Sequence, residues 1–220
     1  IGPEIMQSTQ LVTDAAMEKI YWSSKRIEWL KLMASEEAYN AMGTYLPQET
    51  LDLIIRHGVA IKWPMRTPTW WGHKSLNVAL RKTLDLYACV RPIKYSLGTP
   101  MPMKNPYGVD FTIFRENTDD VYQGIDYSAG SNRAQEIINL VNQDGYKVPL
   151  DSGIGIKPIS REKTRRIVEA AIQDTIKQGR KRITIMHKGN IQKQTEWSFA
   201  KWAFEYVQEK YPEIVCLRPT

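Results

Sequence analysis

The most informative segment of the chain is SLNVALRKTLDLYACVRP, which runs from Ser75 to Pro92. The apolar spacing of its first part predicts a helix from Ser75 to Ala88 that ends before the proline. Arg81 and Arg91 place two permanent positive charges in this segment. Taken alone, each arginine would be interpreted as a surface cation, so the segment gains a functional meaning only beside other motifs.

Helices and short strands alternate on both sides of this segment, which predicts a layered α/β fold. Amphipathic spacing and capping residues predict further helices at residues 3–21, 47–57, 160–178 and 195–210. Short apolar runs predict strands at residues 59–61, 111–114 and 183–186. Residues 98–106 are rich in proline and methionine and are expected to form a long connection. Residues 126–150 show weak periodicity and are interpreted as an excursion from the main body.

Two further motifs complete a set with the first segment. IFRENT covers residues 113–118 and is followed by DVYQGI at 120–125, and HKGNI covers residues 187–191. Together the three segments resemble the isocitrate and isopropylmalate dehydrogenases, a family of metal-dependent β-decarboxylating dehydrogenases. The resemblance is greater to the isocitrate branch and extends from Ile1 to about Tyr211.

This resemblance implies a site that binds a tricarboxylate. Guanidinium groups suit that task, because they stay charged and can donate two hydrogen bonds to one carboxylate. The positions that match the family's substrate-binding residues are Ser75, Asn77, Arg81, Arg91 and Arg115.

The resemblance also implies two residues that handle protons. Tyr122 and Lys188 match the family's catalytic pair, in which the lysine usually reaches the site of a neighbouring subunit. A phenol beside an amine can act as an acid–base couple.

By the same resemblance, the chain is expected to have a truncated isocitrate/isopropylmalate dehydrogenase-like fold with three parts. These are a large-lobe fragment at residues 1–86, a small lobe at residues 87–119 and 161–220, and a clasp at residues 120–160. The family's clasp pairs with its mate across a two-fold axis, so we expect a homodimer through the clasp or a larger hetero-assembly. No run of the sequence approaches the length of an apolar transmembrane segment.

One loop departs from the family's pattern. Residues 62–73 read KWPMRTPTWWGH, and Trp63, Trp70 and Trp71 stand where a glycine or another small residue is usual. Each indole is large enough to fill the space beside a substrate. We interpret Trp70 and Trp71 as an interface with a partner chain; the alternative is that the tryptophans pack into the core. Thr67 remains as a cofactor contact.

The metal and most of the dinucleotide site are expected to lie outside this sequence. In the family, the aspartates that bind the divalent metal and the loop that binds the adenosine follow the last helix predicted here. We therefore expect no metal or cofactor held by this chain alone. If the protein is active, the resemblance implies NAD or NADP with Mg²⁺ or Mn²⁺. Cys89 and Cys216 are predicted to be free thiols.

The charge of the chain is concentrated in one region. The 220 residues contain 30 Lys and Arg against 24 Asp and Glu, a formal net charge of +6. Eleven basic and three acidic residues lie between Lys157 and Lys193, so this stretch carries 11 − 3 = +8. Such a patch can bind nucleic acid, an anionic lipid surface or an acidic partner. Because no nucleic-acid-binding motif accompanies it, we interpret it as a solvated helix face and expect no specific nucleic acid partner.

Three hypotheses for the function follow. The first is a catalytically inactive, isocitrate dehydrogenase-like subunit with a structural role in a larger assembly. A mitochondrial location is predicted for it, and a cytoplasmic one otherwise. The alternative is an NAD(P)-dependent isocitrate dehydrogenase, which converts isocitrate to 2-oxoglutarate by oxidative decarboxylation and is active only with a partner chain. The third is an engineered fragment or a redesigned surface.

Overall fold

The computed structural model describes residues 2–65 and 75–218, and the chain forms two units that divide between Asp85 and Leu86. The boundary predicted between the large-lobe fragment and the small lobe lies one residue later, after Leu86. Both helices and strands are present, so the chain has a mixed α/β fold.

The described part of the first unit is helical. Its elements are α1 (Gly2–Tyr21), α2 (Ser35–Met42), α3 (Gln48–His57) and α4 (Leu76–Thr83). The helices predicted at residues 3–21 and 47–57 are confirmed. Helix α3 begins after Pro47 and ends at Gly58, whose φ of 72° is a left-handed conformation that glycine adopts without strain. Leu51 is its most buried apolar residue.

Two predictions in the first unit are wrong. Residues 59–61 do not form a buried strand: Val59 is 78% exposed and Ile61 is 56% exposed, and no described strand pairs with them. The helix predicted to reach Ala88 ends at Thr83, because Asp85 has a φ of 47°, which no α-helix tolerates. The chain then enters a strand that the helical pattern had hidden.

The second unit contains the strands and the remaining helices. In chain order they are β1 (Ala88–Lys94), β2 (Asp110–Glu116), a 3₁₀ turn (Asp120–Gln123), β3 (Ile125–Tyr127), α5 (Asn132–Gln143), β4 (Ile154–Ile156), α6 (Arg161–Lys177), β5 (Arg182–Thr184), α7 (Lys193–Lys210) and β6 (Val215–Leu217). The strands predicted at residues 111–114 and 183–186 and the two long helices are present with shifted ends. The long connection expected at residues 98–106 lies between β1 and β2.

The six strands of the described residues form three separate pairs. Strands β1 and β2 are antiparallel with Ala88 opposite Glu116 and Lys94 opposite Asp110. Strands β3 and β4 are also antiparallel, whereas β5 and β6 are parallel. Pro92 lies inside β1, where a two-stranded sheet leaves one edge of each strand free of ladder hydrogen bonds.

The core of the second unit forms where α6 packs against α7, β2 and β5. Its buried apolar residues are Ile167, Val168, Ile172, Ile185, Ala200, Ala203, Val207 and Ile214. Ala200 and Ala203 are fully buried on α7, and their small side chains allow close approach of the two helices. The predicted cap of α6 is confirmed, since the Ser160 hydroxyl accepts a hydrogen bond from the Lys163 N–H at 3.3 Å.

The residues predicted to form the clasp contain β3, α5 and β4. Helix α5 was not predicted, because its polar residues gave residues 126–150 weak periodicity. It is nevertheless anchored by Ala134 and Ile138, both fully buried, and Ser131 caps its first turn. Within the described residues, no helix combines the length and the apolar character that crossing a membrane requires.

Candidate active-site residues

The β1–β2 hairpin brings two of the predicted arginines to one face. Arg91 lies opposite Ile113, and Arg115 lies opposite Cys89. Side chains two residues apart in a strand share a face, and so do directly opposed pairs. Arg91 and Arg115 are therefore diagonal neighbours on one face of the hairpin. Phe114 points the other way and packs against the core.

Arg115 is fixed by its neighbours on the chain. Its Nη2 donates to Asn117 Oδ1 at 3.3 Å, and its Cζ lies 5.4 Å from the centroid of the Tyr122 ring. Asn117 is buried and donates in turn to the Leu86 carbonyl at 3.3 Å. Arg115 Nε is buried and has no hydrogen-bond partner among the described residues. The structure thus brings Tyr122 and Arg115 together and leaves one buried guanidinium N–H without a described hydrogen-bond partner.

The segment between these residues is a buried polar turn. The Glu116 carboxylate accepts hydrogen bonds from the Thr118 N–H, the Thr118 hydroxyl and the Asp119 N–H at 2.7–3.0 Å. Asp119 Oδ2 accepts from the Ser160 N–H at 2.7 Å, and Lys163 Nζ donates to the Thr118 carbonyl at 2.9 Å. These contacts give these buried polar groups hydrogen-bond partners. They also connect the turn that precedes Tyr122 to the start of α6.

Lys188 lies in the loop between β5 and α7, and its side chain is exposed. Its backbone N–H donates to Glu196 Oε2 at 2.9 Å. The next residue is Gly189, whose carbonyl accepts from Trp197 Nε1 at 3.2 Å. The His187 ring stands edge-on to Trp197 with the ring centroids 5.1 Å apart. The loop that carries Lys188 is therefore held by side chains from the first turn of α7.

Glu196 is buried and belongs to an ion network that the sequence did not predict. Its side chain is 9% exposed and accepts a hydrogen bond from Lys157 Nζ, which also lies 3.5 Å from Asp120 Oδ2. Burial alone would raise the pKa of Glu196, but the hydrogen bonds from Lys157 and the Lys188 N–H hold that pKa below its usual range. Burial would lower the pKa of Lys157, yet its carboxylate partners raise it.

Little in the sequence predicts this network. Lys157 and Glu196 are 39 residues apart, and no spacing rule links a strand end to a helix start over that distance. The usable signal was the position of Glu196 on α7, on the same face as Ala200, Ala203 and Val207. A glutamate on the buried face of a helix requires a partner.

Three of the predicted substrate-binding residues belong to the first unit. Ser75 immediately precedes α4, and Asn77 and Arg81 lie four residues apart on it, so these two share one face of the helix. Burial lowers the pKa of Lys62, and the charge of Arg81 lowers it further. The assignment of Ser75, Asn77 and Arg81 to substrate binding stays a prediction.

The divergent loop lies only partly within the described residues. Thr67, Trp70 and Trp71 fall outside them. Trp63 lies against the first turn of α1, because a Cβ added to Gly2 would be 2.4 Å from the Trp63 ring. This indole therefore packs within the first unit.

Residues 2–65 and 75–218 contain no group of three His, Cys, Asp or Glu side chains that could hold a metal ion. Both cysteines are free thiols, as predicted. Cys89 shares the hairpin face with Arg115, and burial raises the pKa of Cys216 to about 11.

Residues 1–217 match the family model for isocitrate/isopropylmalate dehydrogenase, and the chain belongs to this family. It is 45% identical over 219 residues to an isocitrate dehydrogenase [NADP] of Staphylococcus aureus, with 98% of this chain and 52% of the relative covered. It is also 45% identical over 215 residues to the isocitrate dehydrogenase [NADP] of Streptococcus mutans, covering 96% of this chain and 55% of that protein.

A solved structure agrees with this assignment. The isocitrate dehydrogenase from Methylococcus capsulatus superposes with a TM-score of 0.75 at 30% identity, over 94% of this chain and 56% of that one. The chain spans about half the length of the curated relatives it matches.

Proposed function

We propose that this chain is the part of an NADP-dependent isocitrate dehydrogenase that binds the carboxylates of isocitrate and handles protons during its oxidative decarboxylation to 2-oxoglutarate. The observation that carries the proposal is the hairpin face on which Arg91 and Arg115 are diagonal neighbours, with Tyr122 against the second guanidinium. The similarity to relatives named as NADP isocitrate dehydrogenases supports this choice of substrate and cofactor.

The assigned chemistry follows from the side chains. Arg91 and Arg115 would each pair with a carboxylate of the substrate, and the buried Nε of Arg115 supplies a donor that has no described partner. Isocitrate loses its hydroxyl proton on oxidation. After carbon dioxide leaves, the carbon atom that carried it gains a proton. Tyr122 and Lys188 are assigned to these proton transfers. NADP, when bound, accepts the hydride, and Thr67 is proposed as one of its contacts.

The proposal is tested by titrating the chain with isocitrate in a calorimeter. Wild type is expected to bind, and Arg115→Gln is expected to weaken binding by at least ~10-fold, because a hydrogen bond to a charged group contributes roughly 1.5–3 kcal/mol. Arg161→Gln is the matched control, since Arg161 is an exposed arginine paired with Glu205 elsewhere in the second unit. Absence of binding by wild type, or equal weakening by both variants, would contradict the proposal.

One observation favours a second candidate, a non-catalytic subunit with a structural role. Trp63 occupies a position where the family usually has a small residue, and its ring packs against Gly2. This candidate predicts that wild type binds no isocitrate and instead co-purifies with a partner chain. Trp70 and Trp71 are then proposed as the interface, and Trp70→Ala and Trp71→Ala are expected to release the partner. The same titration therefore separates the two functions.

A further inference from the structure

Tyr122 and Lys188 lie on different segments of the second unit. One ammonium group contacts a carboxylate at each of these two segments. Lys157 Nζ donates to Glu196, the carboxylate that accepts the Lys188 N–H. The same nitrogen lies 3.5 Å from Asp120 Oδ2, at the start of the 3₁₀ turn that carries Tyr122. We propose that Lys157 is a positioning residue that holds the Tyr122 turn and the Lys188 loop in one arrangement.

The contact between Lys157 and Glu196 depends on charge. The Glu196 and Lys157 side chains are 9% and 20% exposed, so water can replace little of their mutual contact. A buried carboxylate without a cation is strongly disfavoured and must move towards solvent or take up a proton. Either response alters the acceptor of the Lys188 N–H. The conformation of the Lys188 loop therefore depends on an ammonium group from a distant part of the chain.

The contact between Lys157 and Asp120 supports a residue whose backbone is strained. Asp120 has a φ of 61°, a left-handed conformation that is unfavourable for a residue with a Cβ. Its Oδ1 accepts from the Val121 N–H at 2.6 Å, and its own N–H donates to the Pro158 carbonyl at 3.0 Å. Lys157 immediately precedes Pro158, so the end of β4 supports the turn through one backbone contact and one charge.

A general stabilising role would look different from this positioning role. Loss of stability speeds amide exchange throughout the second unit, whereas loss of positioning acts on the two supported segments alone. The amides of Val121 and Lys188 report on those segments, because they donate to Asp120 and Glu196. Ile172 is fully buried in the middle of α6, and its amide serves as the reference.

The experiment measures exchange at these three amides by NMR on the full chain. Lys157→Met is expected to raise the exchange rates of Val121 and Lys188 by at least ~10-fold relative to Ile172, as expected when a charge-assisted contact that orders a segment is lost. Lys157→Arg, which keeps the charge, should restore most of the protection. Glu205→Gln is the control, because Glu205 also lies on α7 and pairs with α6, but its ion pair is exposed. That variant should leave all three rates unchanged.

Glu196→Gln tests the coupling without altering Lys157, and it serves if Lys157→Met does not fold. The amide side chain of this variant would keep an oxygen for the Lys188 N–H but lose the charge opposite the ammonium. Faster exchange at Val121, which Glu196 does not contact, is expected. The proposal is overturned if Val121 keeps its wild-type rate in this variant. It is also overturned if the three amides accelerate equally in Lys157→Met.

The consequence for turnover rests on the proposed function. In the active enzyme, Lys157→Met should lower kcat by a larger factor than it raises KM, because it displaces the segments of Tyr122 and Lys188 while Asn117 still orients Arg115. Amide exchange requires no activity. A wild-type chain that binds no isocitrate would therefore count against the proposed function, while the exchange rates would still judge the positioning role.

Discussion

At the scale of single residues, the candidate site is built by side chains that fix their neighbours. Arg115 is oriented by Asn117 and by the Tyr122 ring, and Glu196 fixes the backbone of Lys188. The residues that match the family's motifs were recognisable in the sequence, because each motif is a contiguous string. Their supports were not, since the Lys157–Glu196 and Asp119–Ser160 contacts join residues about forty positions apart.

Gly189 illustrates a residue whose side chain must be absent. A Cβ at this position would lie 2.7 Å from the His187 ring and 3.1 Å from Trp197 Nε1. Gly189→Ala is therefore expected to destabilise the protein by about 1–3 kcal/mol, the usual cost of overpacking. Denaturant unfolding measures the change. Gly108→Ala is the control, because no atom lies within 4 Å of its added Cβ; equal stability of the two variants would refute the prediction.

Glu196 should also make stability depend on pH. Its pKa is lowered in the folded protein, so the unfolded chain binds more protons than the folded protein as the pH falls. Its contribution is present above the ordinary glutamate pKa of about 4.3 and is lost as the pH falls through the lower folded value. Wild type should exceed Glu196→Gln in stability by at least about 1 kcal/mol at neutral pH.

Urea unfolding of both proteins from neutral to acidic pH checks this expectation. The difference between them should shrink as the pH falls below about 4.3, where the carboxylate of the unfolded chain takes up a proton while the folded protein still keeps Glu196 charged. Glu205→Gln should differ from wild type by no more than about 0.5 kcal/mol at neutral pH, since exposed ion pairs contribute little. A difference between wild type and Glu196→Gln that grows as the pH falls would contradict the argument.

At the scale of elements, caps set the ends of helices and are readable from the sequence. Ser160 accepts the Lys163 N–H at the start of α6. Ser160→Ala should cost about 1 kcal/mol of stability, because one helix N–H loses its acceptor. The exposed residue Ser128 provides the control. Thermal unfolding should show a lower midpoint for Ser160→Ala than for Ser128→Ala, and coincident curves would show that the cap contributes nothing.

The errors of the sequence-based prediction have physical causes at this same scale. A strand needs a partner, so the apolar run at residues 59–61 stays exposed where no described strand pairs with it. Strand β1 was hidden because the helical pattern of α4 appeared to continue to Ala88, whereas Asp85 breaks it. Helix α5 was missed because only two of its twelve residues are buried, too few to give a clear period.

At the scale of the whole molecule, the two units carry different parts of the predicted site. The unit of residues 86–220 contains Arg91, Arg115, Tyr122 and Lys188, and it has its own buried core. The chain belongs to the isocitrate/isopropylmalate dehydrogenase family and spans about half the length of its curated relatives. The motifs that predicted this family lie in both units, which is why the family was recognisable before the packing was known.

The central claim is that the face of the β1–β2 hairpin binds the carboxylates of isocitrate, and NMR of the arginine Nε–H groups tests it most directly. On titration with isocitrate, the Nε–H signals of Arg91 and Arg115 should shift together and saturate at one concentration. Those of Arg133 and Arg161, which are exposed and paired with glutamates, should stay unchanged. Unchanged signals from Arg91 and Arg115, or equal shifts of all four, would contradict the account.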